Sequence, residues 1–293
     1  MDRRSISLSR HVGRFWGCQQ GRPARSYAGS RIFNAATGAL LCKGGGNKGL
    51  STHRGINRRS VSSQFTVAAD VYGDACLELI AGNQVYEVAQ DLSSMTVVRQ
   101  ITPPACIEEP GLSIPDDGWT QVIDIDDDGS LDIVVEKWIQ RKKQFIYIWN
   151  PERQEVLAQK LLNNANHIGI PFIVDIYGRK DAKGKRYPEI LFISSDYAGD
   201  NTQNAPPEYN QLFAFKYDGT SLLQEFWRLQ HSDESGLTGL ALFDFNQEPI
   251  SETVYRDETH LRIINGCQQS HHTGNDTAVN YNHHEPSNIY GTV

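Results

Sequence analysis

One pattern recurs four times along the chain and constrains its fold more than any other feature. Each copy holds an apolar strand-like run, an Asp, a short polar loop, an acidic residue and a second apolar run. The copies open at Asp70, Asp124, Asp175 and Asp244, which lie 54, 51 and 69 residues apart. Short runs rich in Val, Ile, Phe and Tyr are typical of β-strands, and this period is typical of propeller blades. The sequence therefore predicts an all-β chain, a β-propeller-like array of about four four-stranded blades plus a partial one at residues 31–41, which need not form a complete ring.

The pattern divides the chain into three parts. Residues 1–30 are expected to be a basic, poorly ordered leader, residues 31–266 hold the repeats, and residues 267–293 are expected to be a polar, disordered tail. Within the repeats, residues 151–166 fit either one helix or an outer strand with its loop. Two long segments, 92–119 and 195–209, are expected to be loops that form a binding surface.

The overall composition excludes some classes of protein. The 293 residues carry a formal net charge of −7, which argues against nucleic acid as the main partner. The chain contains no run of 18 or more apolar residues, so the sequence predicts no membrane span. The first 30 residues lack the apolar segment of a secretory signal. Five cysteines without C-x-x-C spacing predict unpaired structural thiols. We expect an intracellular protein or, the interpretation we favour, part of a longer precursor.

The second copy contains the strongest candidate site, the segment DIDDDGSLD at residues 124–132. Calcium takes six to eight oxygen ligands, and acids at positions 1, 3, 5 and 9 of such a loop can bring four carboxylates to one point. Carboxylates this close repel one another unless a cation lies between them. Gly129 at position 6 permits a sharp turn, and Asp127 is expected to point outward. The predicted Ca²⁺ ligands are the carboxylates of Asp124, Asp126, Asp128 and Asp132 and the backbone carbonyl of Ser130.

An EF-hand begins with the same spacing but requires two further features. Its loop ends with a bidentate Glu at position 12, where this chain has Val135. Its loop also lies between helices, whereas the flanking segments QVIDI and LDIVVE predict strands. The sequence therefore excludes an EF-hand and places the loop between two strands of a blade.

The first and third copies of the loop are incomplete. In the first copy Asp70, Asp74 and Glu78 hold positions 1, 5 and 9, but Tyr72 replaces the acid at position 3 and Ala75 replaces the glycine. In the third copy the opening and closing acids, Asp175 and Glu189, lie 14 residues apart, and intervening Lys and Arg residues would oppose a cation. We expect weak binding or none at these loops, with the retained Asp making structural hydrogen bonds.

The fourth copy keeps more of the acids. Its candidate ligands are Asp244, Asn246, Glu248 and Glu252. Pro249 stands where the glycine belongs, and its fixed φ and missing N–H require a different turn. We expect weak calcium binding or none at this loop as well.

The segments DIDDDGSLDIVV, DVYGDACLELIAG and DFNQEPISETVYRDE resemble the FG-GAP/VCBS repeat of integrin-α-like β-propellers. The resemblance covers residues 31–266. It implies a propeller with Ca²⁺ sites on one face, in secreted or cell-surface proteins that bind proteins or glycans. On this basis we expect a non-enzymatic adhesion or interaction module with structural calcium, a protein or glycan ligand, no nucleic acid, no membrane span and an extracellular or cell-surface location.

An enzyme is the alternative. Some polysaccharide lyases resemble calcium-loop propellers of this kind, so the chain could be a fragment of such a lyase or of another carbohydrate-active enzyme. The basic residues after the second loop could face an acidic sugar, although a solvated hairpin is the simpler interpretation. These residues are Lys137, Arg141, Lys142 and Lys143.

Two other sequence features are typical of binding sites in other proteins. The turn of Gly44, Gly45 and Gly46 lacks the spacing and the following helix of a phosphate-binding loop, so it predicts a flexible loop between blades. The paired histidines in the tail, at 271–272 and 283–284, could bind a transition metal.

Overall fold

The chain is described by a computed structural model, and the part of it that can be described consists of β-strands and connecting turns. The described residues are 24–46, 48–54, 60–140, 143–163, 167–176, 184, 188–195, 210–231, 240–243, 252–256, 260–264 and 289–292. No helix occurs among these residues, so none of them forms a helix able to cross a membrane. The predicted all-β class is confirmed for this part of the chain.

The strands pair into successive antiparallel sheets in the order of the sequence. The first sheet holds β1 (Arg25–Ala28), β2 (Arg31–Asn34) and β3 (Leu40–Lys43), and a separate hairpin holds β4 (Leu50–Arg54) and β5 (Ser60–Gln64). The second sheet holds β6 (Val67–Ala69), β7 (Glu78–Ala81), β8 (Gln84–Val88) and β9 (Met95–Gln100). The third sheet holds β10 (Trp119–Ile123), β11 (Asp132–Gln140), β12 (Lys143–Asn150) and β13 (Glu155–Asn163).

Two further sheets follow in the C-terminal half. The fourth holds β14 (His167–Ile168), β15 (Phe172–Val174), β16 (Glu189–Ser195), β17 (Gln211–Lys216) and β18 (Gln224–Gln230), with β14 and β15 both pairing with β16. The fifth holds β19 (Leu240–Phe243), β20 (Glu252–Arg256), β21 (His260–Ile264) and β22 (Ile289–Thr292). The predicted repetition of four-stranded antiparallel sheets is therefore confirmed, and β10 lies against β6 and β15 of the neighbouring sheets.

The packing of the third sheet explains why its strands appear in the sequence as continuous apolar runs. In β12, Ile146 and Ile148 pack with residues of the fourth sheet such as Phe192. The alternate residues of β12, Phe145 and Tyr147, pack on the other side with residues of the second sheet. Because successive side chains of a strand point to opposite faces, a sheet covered on both faces needs apolar residues at every position.

Several boundaries differ from the sequence-based expectation. Residues 155–163 form the outer strand β13, which excludes the helix considered for that region. The segment at 92–119 is not one long loop, because residues 95–100 form β9. Strand β1 lies inside the expected leader and β22 inside the expected tail, where β22 pairs with β21. Residues 1–23 of the expected leader, residues 267–288 and 293 of the expected tail, and the predicted binding loop at 195–209 apart from Ser195 lie outside the described residues.

The connection from the second to the third sheet packs along the outer edge of β13. The Gln159 side-chain amide donates to the carbonyl of Ala105 at 3.1 Å, and its oxygen accepts the N–H of Ile107 at 2.9 Å. The Glu108 carboxylate accepts the backbone N–H of Leu161 at 2.5 Å. An outer strand otherwise presents unpaired backbone groups. This connection therefore serves as an edge cover, and residues 105–109 do not form the free binding loop that the sequence suggested.

The first prediction concerns Gln159. We expect Gln159→Ala to lower the free energy of unfolding by about 1–3 kcal/mol, because two hydrogen bonds of a buried side chain are lost. Urea denaturation measures the change. The matched control is Gln224→Ala, which removes an exposed amide with a single bond to Leu222 and should cost under about 0.5 kcal/mol. Equal losses in the two variants would contradict the edge-cover interpretation.

Candidate metal centre

The loop at residues 124–131 connects two paired strands of the third sheet. Strand β10 ends at Ile123, β11 begins at Asp132, and these two residues are partners in the register. The eight residues between them therefore form a closed turn at one end of a rigid strand pair. The loop's acids are held on this pair, as the sequence predicted.

Asp124 organises the backbone of this turn. Its two carboxylate oxygens accept the N–H groups of Asp128 at 3.0 Å and Gly129 at 2.9 Å. The Asp128 carboxylate in turn accepts the N–H of Ser130 at 2.8 Å. Gly129 has φ of 93°, in the left-handed region that glycine adopts without a steric penalty. Asp127 has φ of 52° and is exposed, which agrees with the expectation that it points outward.

Three of the predicted ligands converge. One carboxylate oxygen from each of Asp124, Asp126 and Asp128 lies within 4.8 Å of the others. Burial raises the pKa of Asp124, and the charges of Asp128 and Asp126 add to that rise against the hydrogen bonds from Gly129 and Asp128. Three carboxylates in one small volume provide the hard oxygen donors that Ca²⁺ prefers.

Asp132 lies outside this group of three, and its role as a fourth ligand stays a prediction. Its side chain is fully buried, one oxygen accepts the N–H of Ile125 at 3.0 Å, and the other accepts the Asn150 amide at 2.8 Å. Burial raises the pKa of Asp132 to about 7. The closing acid of the motif therefore ties the turn to the strand beneath it. For Ser130 the hydroxyl donates to Glu152 at 3.4 Å, and the role of its carbonyl stays a prediction.

Arg153 is a residue of the candidate site that the sequence did not predict. It lies in the turn between β12 and β13, and its guanidinium contacts Asp128 at 2.6 Å, Asp126 at 3.6 Å and Glu155 at 2.7 Å. Burial alone would raise the pKa of Asp128, but the Ser130 hydrogen bond and the Arg153 charge together lower it. One signal in the sequence points to this placement, since antiparallel hairpin strands put the turn after β12 at the same end of the sheet as the turn after β10.

Asn150 fixes the position of that second turn. Its side-chain oxygen accepts the N–H groups of Glu152 at 3.1 Å and Arg153 at 2.9 Å, and its amide nitrogen donates to Asp132. Asn commonly bonds to backbone groups two or three residues ahead in this way. One buried side chain therefore couples the acidic loop to the turn that carries Arg153.

The first copy of the loop has the same backbone hydrogen bonds without the central acid. The Asp70 carboxylate accepts the N–H groups of Asp74 at 3.0 Å and Ala75 at 2.9 Å, and Asp74 accepts that of Cys76 at 2.8 Å. Glu78 is buried and accepts the N–H of Val71 at 3.0 Å, and burial raises its pKa to about 7. The expectation that the retained Asp makes structural hydrogen bonds is confirmed at this loop.

The third and fourth copies keep the closing acid in the same place. Glu189 is buried and accepts the N–H of Ile176 at 3.1 Å, while most of the loop between them lies outside the described residues. Glu252 is buried at the start of β20 and is the register partner of Phe243, as Asp132 is of Ile123. The other three candidate ligands of the fourth copy, Asp244, Asn246 and Glu248, lie outside the described residues.

The glycine-rich turn is a packing element. A side chain at Gly44 would meet Tyr86 Cε1 at 2.7 Å, and the Tyr86 hydroxyl donates to the carbonyl of Gly45 at 2.8 Å. Ser30 donates to the carbonyl of Gly46 at 3.0 Å. The absent side chain at Gly44 therefore lets the turn lie directly on a buried tyrosine of the second sheet. These contacts hold the turn of Gly44, Gly45 and Gly46 in place, whereas the sequence predicted a flexible loop.

The basic residues after the second loop are not gathered into one exposed patch where the structure describes them. Lys137 is buried, and burial lowers its pKa despite the nearby charges of Asp117 and Glu136. Lys143 forms an ion pair with Glu109 of the edge-covering connection. Arg141, Lys142 and the paired histidines of the tail lie outside the described residues. Cys42, Cys76 and Cys106 are not in disulfides, as predicted.

Comparison with known proteins gives no family for this chain. No family model matches it, and no curated protein matches it. Among solved structures it is similar to the Vibrio cholerae biofilm matrix protein Bap1, with 8% identity and a TM-score of 0.44 over 81% of this chain and 64% of that one. It is also similar to the Bacillus licheniformis rhamnogalacturonan lyase PL11, with 13% identity and a TM-score of 0.42 over 81% of this chain and 49% of that one. The chain thus spans less than two thirds of either structure.

The second prediction compares the residues at position 6 of the two described loops. Ala75 has φ of 67°, in the left-handed region that costs an alanine about 1 kcal/mol. In the presence of chelator, we expect Ala75→Gly to raise the free energy of unfolding by about 0.5 kcal/mol and Gly129→Ala to lower it by about 1 kcal/mol. Chemical denaturation measures both. Two changes of the same sign would show that the loops do not share this backbone.

Proposed function

We propose that this chain is a calcium-binding repeat protein of the FG-GAP/VCBS kind, a module that binds a protein or a glycan and uses calcium to fix its structure. The observation that carries the proposal is the convergence of the Asp124, Asp126 and Asp128 carboxylates in a turn between paired strands. The donor set fits a hard dication, because all three groups are oxygen donors of one small cluster. Asp124 would connect the ion to the turn's backbone, since it already accepts two of its N–H groups.

The sheets support a propeller as the larger arrangement. Each sheet follows the previous one along the chain, and β10 of the third sheet lies against β6 of the second sheet and β15 of the fourth. Neighbouring blades of a propeller pack in this way, with their faces covered on both sides. A surface or extracellular location follows from the same proposal, because a site with three carboxylates and a modest affinity fills best at extracellular calcium concentrations.

Calcium binding is tested by thermal stability with and without the ion. We expect 5 mM Ca²⁺ (roughly ten times a Kd of extracellular-module strength) to raise the melting temperature by several degrees over chelator, because an ion that binds only the folded state stabilises it. Asp126→Asn should remove most of this rise. Asp127→Asn makes the same charge change one residue away at an exposed position, and should keep the rise. Equal behaviour of the two variants would refute the ligand assignment.

The proposed role is binding rather than catalysis. It is supported by the burial of Lys137 and by the ion pair between Lys143 and Glu109, which leave these two lysines poorly placed to face an acidic sugar together. We expect no increase in unsaturated-product absorbance when the calcium-loaded protein is incubated with pectic polysaccharide. Turnover that Asp126→Asn abolishes would overturn the binding role and support the lyase alternative.

A further inference from the structure

The most unusual feature of the acidic loop is a cation supplied by the chain itself. The Arg153 guanidinium contacts two of the three converging carboxylates and is held from its other side by Glu155. The arginine side chain is 39% exposed, while those of Asp126 and Asp128 are 19% and 25% exposed. The arginine side chain is therefore more exposed to solvent than the two carboxylates with which it pairs.

We infer that Arg153 is a built-in competitor of the divalent cation and sets the affinity of the loop for it. This inference rests on the proposed function. In the ion-free protein the guanidinium neutralises part of the charge of Asp126 and Asp128, which holds the acids together. A bound Ca²⁺ brings two positive charges to the same oxygens, so like-charge repulsion and loss of the Asp128 hydrogen bond must be overcome.

The contacts of Arg153 allow its side chain to move when the ion binds while its backbone stays in place. Glu155 contacts the guanidinium Nε, and the Asn150 side chain accepts the backbone N–H of Arg153. We therefore expect the side chain to move away from Asp126 and Asp128 without a change in the turn. Asn150 also bonds to Asp132, which keeps the second turn and the acidic loop in register during the exchange. Calcium binding is thereby linked to the position of one exposed side chain in the β12–β13 turn.

The test compares calcium titrations of the wild type, Arg153→Gln, Arg153→Lys and Arg228→Gln. Arg228 is an exposed arginine that pairs with Glu225 in β18, so Arg228→Gln makes the same change in net charge away from the loop. We expect Arg153→Gln to lower the calcium Kd about tenfold, Arg228→Gln to change it less than twofold, and Arg153→Lys to fall between wild type and Arg153→Gln.

A second readout separates competition from a merely structural role. In chelator we expect Arg153→Gln to melt below the wild type, because three carboxylates lose their counter-ion, and with saturating Ca²⁺ we expect the two melting temperatures to converge. An Arg153→Gln Kd equal to or weaker than the wild-type Kd overturns the competition. Absence of calcium binding by every variant, including Arg153→Gln, instead refutes the proposed function, and the inference fails with it.

Discussion

The repeat depends on one interaction, the hydrogen bond from a backbone N–H to a buried carboxylate at the base of each described loop. Glu78, Asp132 and Glu189 each accept the N–H of the residue after the opening Asp position. Each acid is the first residue of the second strand and lies opposite the last residue of the first strand. Because a buried charged group without partners is strongly destabilising, this bond fixes both the register of the strand pair and the geometry of the turn.

This interaction changes the interpretation of the motif. The sequence motif alone suggests that the acids at positions 1, 3, 5 and 9 have the same role. In the structure they have two different roles. The closing acid is buried and bonds to the backbone, whereas the acids at positions 1, 3 and 5 of the second loop form the cluster. The first loop keeps the opening and closing acids and has the same hydrogen bonds, although Tyr72 replaces the central acid. The turn can therefore form without the full ligand set.

The strands and the repeated sheets could be predicted from the sequence, because the signals for them lie in short local segments. Short apolar runs between turn residues indicate strands without reference to the rest of the chain, and their fixed order around each Asp indicated repeated antiparallel sheets. The position of Arg153 could not be predicted in the same way, because it depends on which turns meet at one end of a sheet. The packing of residues 105–109 could not be predicted either, since their contacts with Gln159 and Leu161 join segments about fifty residues apart.

Gln159 also has a mechanical consequence. Its backbone N–H donates to the carbonyl of Ser221, its carbonyl accepts the N–H of Leu223, and its side chain holds the connection from the second sheet. A tension that pulls the fourth sheet from the third would load the backbone hydrogen bonds of Gln159, whereas a tension on the connection from the second sheet would load its side-chain hydrogen bonds. Force on either neighbour would therefore reach the outer strand of the third sheet through the same residue.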